Sequence, residues 1–107
     1  MAVNLDDLYE LLRDRGPEYH PLRLSNHGPM AVEAMCAVGR ADAAAAWLAQ
    51  YRRGLEEMPP PGEPIVPARW QVSLGHYEQF SDWARYFDDQ IAQEGWRPVV
   101  EDWSARL

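Results

Sequence analysis

Apolar residues recur along most of this chain at intervals of three and four, the spacing that lines one face of a helix. Leu5, Leu8, Leu11 and Leu12 form the first such stripe. Asn4 precedes it as a cap, Asp6 and Asp7 lie in its first turn, and Arg13 and Arg15 lie in its last. With Gly16-Pro17 closing it, a helix is predicted from Asn4 to about Arg15. Residues 17–26 carry no stripe and read as an extended linker that holds Tyr19, His20 and Pro21. A second helix is predicted from Gly28-Pro29 to Gly39. Proline loses nothing at a first helical position, where its missing N–H would be unpaired anyway. Glu33 is the one charged residue of this helix, and a helix apolar on all sides belongs in the middle of a bundle.

Ala44, Trp47, Leu48, Tyr51, Leu55 and Met58 continue the helical spacing, which predicts a third helix from about Asp42 to Glu57. Only Gly39 and Arg40 separate it from the second, so the two should form an antiparallel αα-hairpin. The proline-rich run Met58–Pro67 bars helix and reads as a surface crossing. A short helical piece is predicted around Trp70–Leu74. A fourth long helix follows, from about Glu78 to Gln93, with Phe80, Trp83, Ala84, Phe87 and Ile91 on its buried face and Gly95 at its end. A last helix starts at Pro98 and carries Val99, Val100 and Trp103. No segment alternates with period two for long enough to predict a strand. The pattern therefore predicts an all-α fold: one domain over residues 1–107, a compact bundle of five to six helices with the αα-hairpin at its centre.

Composition narrows the possible partners. With 47% hydrophobic residues the chain can build a core, and at 107 residues that core is modest. The net charge of −7 argues against nucleic acid or an anionic membrane as a partner, since both need basic surface. All ten basic residues are arginine, which removes lysine Schiff-base and P-loop chemistry. Cys36 is the single cysteine and permits no internal disulfide, so a cytoplasmic location is expected and Cys36 reads as a core residue. No apolar run approaches the roughly 20 residues of a membrane span, and the N-terminus does not read as a signal peptide.

The candidate chemistry is sparse. The three histidines, His20, His27 and His76, share no spacing that would set two ligands on one helix face. His20 and His76 read as surface or capping imidazoles. His27 stands at the start of an apolar helix, where the helix dipole favours the neutral ring that binds metal. It is either a metal ligand or an imidazole bonded to a loop carbonyl. Glu33 needs a partner within an apolar helix: either an arginine such as Arg23 or Arg40, or a functional site that it supports. The aromatic set that includes Trp47, Tyr51 and Trp83 either lines a pocket for a flat aromatic ligand or packs the core.

The run Tyr19-His20-Pro21, followed by Ser25-Asn26-His27-Gly28-Pro29-Met30-Ala31-Val32-Glu33-Ala34, resembles the N-terminal signature of questin oxidase-like proteins. The likeness continues through Gly39-Arg40-Ala41-Asp42-Ala43, Trp47, Tyr51-Arg52, Pro64-Ile65, Leu74-Gly75, Asp82-Trp83, Trp96-Arg97 and Trp103, and so spans residues 17–107. The resemblance implies an all-α fold and oxidative tailoring of polycyclic, anthraquinone-like compounds. It also implies His27 as a metal ligand; Glu33 as a supporting group and Trp47, Tyr51 and Trp83 as substrate contacts are candidates by their own chemistry alone. Questin oxidase-like proteins are usually longer, with further histidines downstream. A non-haem iron would therefore need a partner chain to complete its ligands, in a homo-oligomer or with a second protein. The alternative function is a non-catalytic helical module that binds a partner protein or an aromatic ligand.

Overall fold

The computed structural model describes residues 3–107. The chain divides into two compact units, Met1–Met58 and Pro59–Leu107. It is mostly helical, with a small sheet in the first unit.

The first unit begins with α1, Leu5–Glu10. Asn4 caps it as its sequence position predicts. The Asn4 side chain accepts the Asp7 N–H at 2.9 Å, and the Asp7 carboxylate accepts the Asn4 N–H in return. The helix is shorter than the expected run to Arg15. From Leu11 to Arg13 each N–H bonds three residues back, tightening the chain into a turn. A strand, β1, then runs from Arg15 to Tyr19.

This strand corrects the expected linker at 17–26 and, with it, the all-α expectation. β1 pairs antiparallel with β2 (Leu24–Ser25) on one side and with β3 (Leu55–Glu57) on the other. The order is β2-β1-β3. β3 takes the residues expected at the end of the third helix. The strands are two to five residues long, too short to show a period-two signal.

Two helices complete this unit: α2, Gly28–Ala37, and α3, Ala41–Tyr51. They pack on each other across the turn at Val38–Arg40, as the short connection predicts. α3 stops at Tyr51, passes through a 3₁₀ turn at Arg52–Gly54 and enters β3. Gly54 permits that change of direction beside Tyr19. A Cβ there would lie 2.3 Å from the Tyr19 ring. The core consists of Leu8 and Leu12, Val32 of α2, Ala44 and Leu48 of α3, and Leu55 of β3.

α2 is not the central helix its composition predicts. Gly28 and Val32 are buried, with Met35 and Cys36 partly so, which is one stripe at helical spacing. The other faces remain in solvent: Met30 is 65% exposed, and Glu33, Ala34 and Ala37 are exposed as well. Apolar composition says that a helix can be buried on all sides. It does not supply the neighbours that would cover it.

The second unit starts with the proline-rich segment, which forms no helix or strand between residues 58 and 66. A 3₁₀ segment, Pro67–Ser73, leads to a 3₁₀ turn at Tyr77–Gln79, to α4 (Phe80–Glu94) and to α5 (Trp96–Arg106). Gly95, at φ 83°, makes the turn from α4 to α5. Ile65, Val99 and Trp103 are buried here, together with Ser73 and Asp82. Asp82 ties the proline segment to α4 by accepting the Gly62 N–H at 2.8 Å. Ser81 adds a second tie, donating its hydroxyl to the Pro59 carbonyl. No helix among the described residues is long and apolar enough to cross a membrane.

Candidate functional site

His27 occupies the N-cap position of α2 without capping it. Asn26 does that work: its side-chain oxygen accepts the Gly28 N–H at 2.8 Å. The His27 ring nitrogen Nδ1 instead meets the Ser25 carbonyl. A carbonyl can only accept, so Nδ1 carries the proton and, in the neutral ring, Nε2 keeps the free lone pair. That tautomer suits a metal ligand. The ring is exposed, and its Nε2 makes no hydrogen bond among the described residues.

The backbone of His27 is tied to an aromatic stack. Its N–H donates to the Tyr51 hydroxyl at 2.9 Å. Tyr51 lies between two rings, with its centroid 4.5 Å from that of Trp47 and 4.7 Å from that of Tyr19, all near parallel. The expected pair Trp47 and Tyr51 therefore does come together, one turn apart on α3, joined by Tyr19 from β1. Trp83 belongs to a separate aromatic cluster in the second unit.

Glu33 is exposed on α2 and makes no ion pair among the described residues. The two arginines expected for it are engaged elsewhere: Arg23 with Glu18 at 3.0 Å and Arg40 with Asp42 at 3.4 Å. Its charge is felt by Tyr9, whose hydroxyl pKa is raised first by burial and then by the Glu33 carboxylate. Exposure, rather than a partner, is what makes a carboxylate tolerable on an apolar helix.

In the second unit Trp83 stacks on Phe87, with centroids 5.7 Å apart, and Trp103 meets both rings edge to face. Trp83 is fixed further by its indole N–H, which donates to the Ser73 carbonyl at 3.0 Å. α4 presents Phe80, Trp83 and Phe87 at spacings of three and four, and α5 presents Trp103 against them. These four rings, with Leu74, wall an open cleft of about 470 Å³. His76 and Tyr77, together with the buried Ser73, bring polar groups to its lining. Ligand clefts of this kind are largely apolar, with a few polar groups that orient what binds. The α4 stripe was legible in the sequence. The part played by His76 was not, because it depends on the chain folding back after Gly75.

The iron implied by the family resemblance can be tested against the residues present. Among the described residues, the histidine, cysteine and carboxylate side chains that approach one another closely enough to share an ion are Glu18, His20 and Glu56. His27 is not among them. One imidazole does not hold a catalytic iron, so the residues around His27 in this chain do not fit that group. Compared with family models, with curated proteins and with solved structures, the chain finds no match.

Proposed function

We propose that this chain is a questin oxidase-like protein whose second unit binds a polycyclic, anthraquinone-like compound in the cleft between α4 and α5. The observation that carries the reading is the cleft wall: Phe80, Trp83, Phe87 and Trp103 converge on one opening. Flat ring systems gain from offset and edge-to-face contact with such side chains beyond the area they bury. His76 and Tyr77 would offer hydrogen bonds to quinone or phenol oxygens. The family signature at Ser25–Ala34 supports the same class of compound. In this reading the chain serves an oxidoreductase by binding and orienting the substrate, and a homo-oligomer or partner chain supplies what His27 lacks.

The second reading, a non-catalytic module that docks a partner protein, draws on the exposed apolar residues Met30 of α2 and Val38 just beyond its end. One titration separates the two. A hydroxyanthraquinone added to the protein should quench tryptophan fluorescence saturably. Leu74 is about half exposed at the cleft wall, so Leu74→Trp should fill the opening without disturbing the fold. The variant is expected to weaken binding by roughly tenfold or more, as losing about 1.4 kcal/mol of contact does. Quenching that does not saturate, or that Leu74→Trp leaves unchanged, would sink the aromatic-binding proposal. Sedimentation showing a concentration-dependent dimer would then favour the docking module.

A further inference from the structure

We propose that Glu18, His20 and Glu56 form a binding site for one divalent transition-metal ion of the zinc type, on the outer face of the small sheet. The strand geometry brings them together. Tyr19 pairs with Leu55 across β1 and β3, and Leu55 points into the core. Residues on either side of such a pair point to the opposite face. Glu18 and His20 flank Tyr19, and Glu56 follows Leu55, so all three side chains share the outward face.

The distances suit an ion. His20 Nε2 stands 3.3 Å from Glu56 Oε2, and the three potential ligand atoms all lie within 4.8 Å of one another. An ion that holds nitrogen and oxygen at about 2.0–2.2 Å sets neighbouring ligands roughly 3.0–3.5 Å apart. One pair therefore already has the spacing, and the Glu18 carboxylate closes it with a small side-chain movement. One imidazole and two carboxylates are a donor set for a borderline ion, with water filling the remaining positions.

A second observation concerns the other oxygen of Glu56. Oε1 is shielded from solvent and has no hydrogen-bond partner among the described residues. Leaving a carboxylate oxygen unpaired in that way is costly, and a cation bound to the same carboxylate would offset the cost. Gly16 makes the room: a Cβ at that position would stand 2.8 Å from Glu56 Oε1. Arg23 competes for Glu18 through a 3.0 Å pair with its Oε2. Arg23 is well exposed and Glu18 only partly so, and a pair with one partner in solvent contributes little. Glu18 can keep Arg23 on one oxygen and turn the other to the ion.

The test is calorimetric titration of the whole chain with zinc chloride alone, at neutral pH in a buffer that does not chelate. One zinc per chain is expected. His20→Gln should weaken binding by about a hundredfold or more, since even the outer partners of metal ligands are worth about 10–100-fold. His27→Ala and His76→Ala should bind as the parent does. Because His20 is half exposed, His20→Gln should keep the parent circular dichroism, and Glu56→Gln offers an independent second loss. Cobalt as a substitute ion should give visible d–d bands that His20→Gln abolishes. Failure of the parent to bind zinc saturably would overturn the proposal, as would parent-like affinity in His20→Gln. Either result would leave the cluster as an ion-paired surface of the sheet.

Discussion

The Tyr51 hydroxyl accepts the backbone N–H of His27 at 2.9 Å, so the aromatic stack that includes Trp47 and Tyr51 of α3 holds the residue at the entry of α2 in place. The bond spans 24 residues and joins the entry of α2 to the end of α3. Tyr51→Phe keeps the ring and deletes the acceptor. It is expected to cost about 0.5–1 kcal/mol, the ordinary worth of one such bond. Urea unfolding of the two proteins measures it. Amide exchange at His27 should quicken in the variant, and an unchanged His27 exchange rate would show that the bond does not hold this segment.

Gly54 is where Tyr19 crosses the backbone. A methyl group there would meet ring atoms at 2.3 and 2.5 Å, and the ring cannot retreat easily because it is stacked on Tyr51. Gly54→Ala should therefore cost about 1–3 kcal/mol through overpacking. It should also perturb the near-ultraviolet circular dichroism of the stacked tyrosines. A thermal scan with a parent-like midpoint would contradict this.

Asp82 is 5% exposed, and among the described residues only one of its oxygens is bonded: Oδ1 accepts the Gly62 N–H, while Oδ2 is buried without a partner. Asp82→Asn keeps the acceptor and removes the charge, and its effect should fall within about 1 kcal/mol of the parent. Asp82→Ala strands the Gly62 N–H and should cost about 1–3 kcal/mol. Chemical denaturation of the pair separates the two terms. If alanine proves no worse than asparagine, the tie between the proline segment and α4 contributes nothing measurable.

Acid should weaken the first unit through Asp14. Its pKa is held below the ordinary 3.8, first by the hydrogen bonds from Arg52, whose Nη2 lies 2.9 and 3.1 Å from the two oxygens. A carboxyl with a lowered folded pKa contributes stability in full above its unfolded value. That stability is lost as pH falls through the folded value. Asp14→Asn should accordingly be less stable than the parent near neutrality, and the two should converge in acid, where the parent carboxyl is protonated. The gap should also narrow in high salt, because the pair is largely exposed. Unfolding midpoints measured across pH and salt would refute the assignment if the gap stayed constant.

Some of this architecture was legible in the residues because it is written in local terms. The Asn4–Asp7 cap needs only the right side chains three positions apart. The α2–α3 hairpin follows from a connection too short for any other path. The stripe of Phe80, Trp83 and Phe87 is a matter of helical period. In each case the causes lie within a few residues of the effect.

The rest was decided by neighbours distant in sequence. β1 and β3 are strands because Tyr19 and Leu55 find each other across 36 positions, and no run of two to five residues announces that in advance. The same pairing turns Glu18, His20 and Glu56, from opposite ends of the first unit's strand–helix–helix–strand run, into one cluster on the outer face. It leaves His27 outside that cluster, with its Nδ1 on the Ser25 carbonyl. The sequence by itself determined roughly where the helices lie, the Asn4 cap and the apolar stripes, because short-range sterics and hydrogen bonding act there. Tertiary structure alone decided which apolar faces are covered and which polar groups meet, because those depend on long-range pairing.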